Sequence, residues 1–324
     1  MPKVSPSVLI IRLDGIGDAL ALTPLLAAFR RERIPVDAVL RPQNAAAFSS
    51  RALRKAIVAG FALRSSARDD LAAIERLGGD LGSNGYSHVL VATEDPAGYR
   101  LAGAIDAPVR VGFTHAWGKP LKALWTRRFL TETVERTAGL DRRAPHECEV
   151  LFRLGATLAI AQAPPRDAAE LRPLVIEHEP SADGRVAVQI TEKWERLGIP
   201  IEDVVALVAR LATGKMPHLL SARAHEAYGR RIVAASGIAV EYFDELEPWK
   251  NAIAAADALV APDSGAVHVA GMTGTPVVAV FAPQRGYALQ VARWSPWAAP
   301  HRIVKAVGDW PIAAAEALAQ LSSA

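Results

Sequence analysis

Short apolar runs alternate with longer stretches of helical period along the whole chain. In the first half, residues 8–11, 36–40, 88–92 and 109–113 read as strands. Residues 19–33 read as a helix, with Leu20, Leu25, Leu26 and Phe29 on its apolar side. Residues 68–77 form a second helical stretch, and Gly78, Gly79, Gly82 and Gly85 mark the loop after it. Strands that are apolar on both sides, separated by helices, predict a parallel sheet covered on both faces.

A seam follows near 160–185, with Pro164, Pro165, Pro173 and Pro180, mixed charges and no long apolar period. The alternation then restarts. Residues 185–190, 218–220, 240–243, 258–261 and 277–281 read as strands, and 204–212, 224–235, 249–255, 267–272 and 313–321 as helices. The expected architecture is α/β, with two Rossmann-like, doubly wound domains facing a cleft. The first spans 1–165 and the second 166–324, with the last helix free to return to the first domain. A proline-rich seam permits a hinge between them.

Composition narrows the class. With 51% apolar residues in 324, each half can bury a core. A single cysteine, Cys148, excludes a disulfide scaffold and a Cys-ligated zinc site, and fits a reducing cytoplasm. The N-terminal apolar run, residues 8–11, is shorter than the ~7–15 residues of a secretory core, so no signal peptide is expected. Residues 269–282 are weakly polar, but shorter than the ~20 apolar residues of a membrane span. The net charge of +3 is unevenly spread: residues 1–160 are net +6 and the remainder net −3. A basic half suggests an anionic partner, although arginine-rich composition accounts for it equally well. Nucleic acid is not expected, because the cations are not interleaved with aromatics.

Two glycine loops carry the chemistry. The first strand runs into Arg12-Leu13-Asp14-Gly15-Ile16-Gly17-Asp18. Gly15 and Gly17 fit two positions of a dinucleotide fingerprint, but Leu20 stands where the third small residue belongs. Asp18, at a helix start, is either a cap or a carboxylate displayed as a general base. The second loop reads Pro262-Asp263-Ser264-Gly265, with His268 one turn beyond Ser264. A hydroxyl, a carboxylate and free N–H groups at a helix start suit a diphosphate; a capped helix with a core histidine is the plainer alternative. The nucleophile motif G-x-S-x-G is absent here. Lys193, after the 185–190 strand, can reach a phosphate as a point charge or simply be solvated.

As an ordered set, these segments resemble glycosyltransferase family nine, the ADP-heptose:lipopolysaccharide heptosyltransferases and their relatives. Residues 8–18 with Leu22-Thr23-Pro24-Leu25-Leu26 carry the first part. Residues 263–270 with 274–283 carry the second, supported by Arg110-Val111-Gly112-Phe113, the His146/Glu149 pair and Lys193-Trp194. The resemblance implies a GT-B fold, with acceptor on the first domain and nucleotide-sugar on the second. It implies inverting transfer of a heptose-like sugar from an ADP-heptose-like donor to an anionic glycan or glycolipid of lipopolysaccharide-core type. Asp18 matches the family's base. Asp263, Ser264, Gly265 and His268 match its diphosphate loop, Lys193 its phosphate-binding lysine, and Glu226 a residue near the nucleoside. Gly15 and Gly17, with Asp14 and Arg12, match the loop near the transferred sugar and acceptor. No metal and no cofactor are implied, and no DxD motif ends a strand. A cytoplasmic protein, with room for peripheral contact with the inner membrane, is the implied setting.

The chain departs from the family around the nucleotide. Gln189 stands at a hydroxyl position before Lys193, Glu192 precedes that lysine, and the next strand ends in Ser221-Ala222-Arg223 rather than glycines. A non-catalytic relative that binds a sugar nucleotide is therefore a second reading. An NAD(P)-dependent oxidoreductase is a third, opposed by the missing third glycine.

Overall fold

A computed structural model describes residues 6–114, 119–136, 144–214 and 216–322. Met1 to Ser5, part of the segment read for a leader, lie outside the described residues. The chain divides into two compact units, Met1–Pro165 and Arg166–Ala324.

The first unit holds strands β1 (Val8–Arg12), β2 (Val36–Leu40), β3 (Lys55–Val58), β4 (His88–Val91), β5 (Val109–Thr114) and β6 (Glu132–Glu135). They form one parallel sheet in the order β3-β2-β1-β4-β5-β6. The second unit holds β7 (Val186–Gln189), β8 (His218–Ala222), β9 (Val240–Phe243), β10 (Ala258–Pro262), β11 (Val277–Phe281) and β12 (His301–Lys305). Its parallel sheet runs β12-β11-β10-β7-β8-β9. Counted within each unit, both sheets have the order 3-2-1-4-5-6. This is the doubly wound α/β arrangement, and two such units in one chain make the GT-B fold class.

Burial explains which strands the apolar pattern exposes. The central strands β1 and β10 are buried at every position, as runs of Val, Ile, Leu and Ala require when helices cover both faces. The strands β3, β6 and β12, absent from the sequence-based expectation, lie at sheet edges with mostly exposed or half-exposed side chains. An edge strand covered on one face only has no continuous apolar run to betray it.

The helix expected over 19–33 is two helices, Ile16–Leu20 and Thr23–Arg31. Pro24 in the first turn of the second cannot continue the backbone ladder of the first, so the chain restarts there. The Thr23 hydroxyl donates to the Leu20 carbonyl across the break at 2.6 Å.

The proline-rich seam is not a loose tether. Leu171, Leu174, Val175 and Ile176 are buried. Arg172 donates to the carbonyls of Thr273 at 2.7 Å and Ala254 at 3.1 Å. Lys250, fully buried, donates to the Val175 carbonyl at 2.5 Å and pairs with Glu247 at 2.7 Å. Burial pushes that ammonium below its ordinary range. The final helix, Trp310–Ser322, whose destination the sequence leaves open, packs on helix Ile201–Ala212 and on β11 and β12.

Helix Gly265–Thr273 ends on Gly274, which sits at φ +81° and donates its N–H to the Ala270 carbonyl. A side chain there would be strained, and its Cβ would lie 2.9 Å from the Ala168 Cβ. Gly274→Ala is expected to cost about 1–2 kcal/mol of stability in denaturant titration. An unchanged midpoint and slope would contradict the strain argument.

Candidate functional site

In a doubly wound sheet the strand order reverses between strands 1 and 4, and the loops leaving their carboxyl ends part to opposite faces. Ligands bind at this reversal. In the first unit the reversal lies between β1 and β4, paired Ile11 to Val91. In the second it lies between β7 and β10, paired Val188 to Val260. Each glycine loop read from the sequence therefore leaves a central strand at a reversal. Lys193 follows the neighbouring strand in the second unit.

The first loop is organised by Arg12, only 2% exposed. Its guanidinium donates to the Ala92 carbonyl on the neighbouring chain segment and, through Nε, to the Asp18 carbonyl at 3.0 Å. It also faces the carboxylates of Asp14 at 3.4 Å, Asp18 at 3.4 Å and Glu147 at 3.9 Å. Arg12 thus acts as a strut beneath the loop, while Asp14 and Asp18 remain partly exposed above it. Asn44 holds the same turn from another side, donating to the carbonyls of Asp14 at 2.8 Å and Arg12 at 3.3 Å.

Asp18 is not the helix cap itself. Gly15 occupies that position, and Asp18, three residues on, accepts from the Gly15 N–H at 3.1 Å. One oxygen is fixed by this bond and the other lies beside Arg12. The carboxylate therefore has a defined direction. A Cβ at Gly15 would lie 3.2 Å from the Asp18 carboxylate oxygen, a tight contact that would push on the carboxylate. Burial holds the Asp14 carboxyl above its usual range against the pull of Arg12.

A chain of charges supports this loop. Glu147, 1% exposed, opens helix Glu147–Phe152 and pairs with Arg136 at 2.7 Å. Arg136 reaches Glu94 at 3.2 Å, and Glu94 pairs with Lys122 at 2.9 Å. Sequence reasoning singled out His146 and Glu149 here. The structure makes them the capping pair of the same helix, with the Glu149 carboxylate accepting from the His146 N–H at 3.1 Å. Glu147 carries no sequence signal, because only the fold brings it beneath Arg12.

In the second unit, Ser264 caps helix Gly265–Thr273 in extended backbone. Its hydroxyl oxygen is buried and has no hydrogen-bond partner among the described residues. Buried polar atoms are mostly satisfied, so this hydroxyl keeps an unused hydrogen-bonding capacity at the helix start. The helix N-terminus adds open N–H groups and a favourable dipole. Asp263 is buried and accepts from Gln290 at 2.9 Å, which fixes the strand end. His268 is buried with its ring edge-on to Trp294, centroids 5.6 Å apart. It lies inside the helix packing rather than on the surface.

Lys193 begins helix Lys193–Arg196 and forms no ion pair with a described residue. Its cation is available at the β7 end. Gln189, which departs from the family pattern, is spent internally. Its side-chain carbonyl accepts from the Trp249 indole at 2.8 Å, and its backbone carbonyl accepts from the Trp194 indole at 2.9 Å. Arg223 is held by Asp244 at 3.0 and 3.1 Å. Glu226 opens helix Glu226–Ser236 and pairs along it with Arg230 at 2.8 Å; nothing in that contact ties it to the β10 loop. Among the described residues, no His, Cys, Asp and Glu cluster has metal-holding geometry. None of the described helices is long and apolar enough to cross a membrane.

The model of glycosyltransferase family 9 (heptosyltransferase) matches residues 245–316, the stretch that contains β10, the Ser264 loop and β11. No curated protein sequence matches the chain. Solved structures match over its whole length. A glycosyl transferase family 9 protein from Veillonella parvula superposes with a TM-score of 0.74 at 14% identity, covering 100% of this chain and 99% of that one. The E. coli heptosyltransferase WaaC, solved with ADP, gives 0.73 at 19% identity, covering 97% and 99%. E. coli ADP-heptose lps heptosyltransferase II gives 0.68 at 16%, covering 98% of each. At these identities the structures establish a common fold. The glycosyltransferase family 9 pattern itself is carried by residues 245–316 of the second unit.

Proposed function

We propose that the chain moves a heptose-like sugar from an ADP-sugar to an anionic glycan or glycolipid of lipopolysaccharide-core type, with inversion at the anomeric carbon. The second unit binds the donor and the first the acceptor. The observation that carries the donor side is the orphaned Ser264 hydroxyl at an open helix N-terminus, inside the segment that matches the family. WaaC, which shares the fold, was solved with ADP, and this supports adenine as the base.

The residues divide the work as follows. Asp18 takes the acceptor hydroxyl proton as that oxygen bonds to the anomeric carbon and the bond to the donor phosphate breaks. Negative charge then gathers on the departing diphosphate. Lys193, the Ser264 hydroxyl and the N–H groups at the start of helix Gly265–Thr273 meet it electrostatically. Asp263 and His268 hold the shape of that helix start. Gly15 and Gly17 let the sugar approach the backbone, Arg12 and the Gly15 N–H set the direction of Asp18, and Asp14 lies beside the same guanidinium.

Thermal-shift measurement with ADP, UDP, GDP and NAD tests the donor side. ADP at ~100 times its Kd is expected to stabilise the protein by ~2.7 kcal/mol. Lys193→Ala should remove most of that shift without lowering the ligand-free Tm. A shift with UDP or GDP instead would move the donor class, and no shift with any of them would sink the reading. A non-catalytic nucleotide-binding relative is the second reading, favoured by the engagement of both Asp18 oxygens within the protein. It predicts an ADP shift with no sugar released to acceptor or water over hours.

A further inference from the structure

One surface of the first unit is unlike the rest. Helix Pro120–Thr126 is clamped from within: Ala123 and Thr126 are buried, and Lys122 is held by Glu94 at 2.9 Å. Trp125 meets Phe129 and Tyr99 edge-on, with centroids 4.9 and 6.1 Å away, and the Arg100 guanidinium lies over its ring. These contacts define the inward face of the helix, and the opposite face points outward. That face presents Leu121, 83% exposed, and Leu124, 64% exposed. They are three residues apart and share one side of the helix. Lys119, Arg127 and Arg128 flank them, all exposed and none in an ion pair with a described residue. No Asp or Glu occurs from Lys119 to Arg128.

We infer that this face rests on a bilayer surface containing anionic lipid, with Leu121 and Leu124 entering the headgroup–acyl boundary and Lys119, Arg127 and Arg128 among the lipid phosphates. The inference rests on the glycolipid-acceptor reading for its purpose and on the helix for its evidence. Apolar side chains ringed by cations are the composition that interfacial helices use. A soluble anionic glycan would satisfy the cations but offer nothing to the leucines. A second copy of the chain would bring like charges together across a self-complementary contact. Docked in this way, the protein would gain access to an acceptor anchored in the membrane by its own lipid.

Co-sedimentation of the full chain with vesicles tests it. One set contains phosphatidylglycerol in phosphatidylethanolamine, and the other phosphatidylcholine alone. Binding is expected to the anionic vesicles only, and to weaken in high salt. Arg127→Gln with Arg128→Gln should lower the partition about 30-fold, at about 5-fold per cation. Leu121→Gln with Leu124→Gln should lower it by on the order of 10-fold. Both pairs are surface changes, and an unaltered Tm with an unaltered ADP shift shows that each variant is folded. No binding by the parent protein, or variants that sediment like it, overturns the inference. So does a concentration-dependent dimer that the leucine pair abolishes, which would assign the face to a second copy. Vesicle binding without any ADP shift would sink the donor reading and leave this surface standing.

Discussion

Asp18→Asn is expected to lower kcat for sugar transfer by about 10²–10⁴-fold, the usual contribution of a positioned general base. The ADP thermal shift should be unchanged, because the proposed donor site lies in the other unit. The substitution separates chemistry from structure well. The asparagine side-chain oxygen can still accept from the Gly15 N–H, the 3.1 Å bond that closes the helix start. What is lost is the capacity to take a proton, and with it the negative charge that faces Arg12 at 3.4 Å. The assay is transfer from ADP-heptose to a lipopolysaccharide core lacking its heptoses, with both saturating. Full activity in the variant would end the assignment of Asp18 as base, and parent protein inert in the same assay would favour the non-catalytic reading.

Arg12→Leu should be strongly destabilising. The guanidinium is nearly inaccessible and faces three carboxylates, of which Glu147 is also buried. Removing it leaves Glu147 to Arg136 alone, and leaves the Ala92 carbonyl without its side-chain donor. Breaking a buried pair from one side costs about 3–5 kcal/mol, since a charge is left uncompensated in a poor solvent. For a unit of this size that is a fall in Tm on the order of 10 °C. Arg12→Lys should fall between the two. It restores a charge but not the fork that reaches several acceptors at once. A Tm within a degree or two of the parent for Arg12→Leu would mean that the network is dispensable, and that Asp18 is directed by Gly15 alone.

The sequence shows its interior more plainly than its edges. The strands it reveals lie in the body of a sheet, as β1, β2, β10 and β11 do, with one exception: β9 is an edge strand, but its side chains are mostly half-buried and it still reads as a strand. The edge strands β3, β6 and β12 stay hidden because exposure removes the constraint that writes apolar residues into a strand. The break at Ala21 and Leu22 was written in Pro24, yet the apolar period runs across it, because both helices bury the same side.

The site divides in the same way. Loop chemistry is local: glycines beside Asp18, and Ser264 before a helix, are visible as short motifs because the backbone itself demands them. Arg12 is equally visible as a letter, but its burial is not, and neither is the role of Glu147, 135 positions along the chain. Gln189 shows the reverse case. In sequence it departs from a nucleotide-binding pattern, and in the structure its side chain is bonded to Trp249.

The order of residues by itself determined the α/β alternation, the two glycine loops and the chemical groups they carry, since periodicity and turn chemistry act over a few residues. Only the tertiary structure decided that each loop leaves its sheet at the reversal of strand order, that a buried arginine directs Asp18, and that two leucines face outward among cations. Those facts depend on which segments the sheet places side by side, and strand pairing joins residues that no local pattern relates.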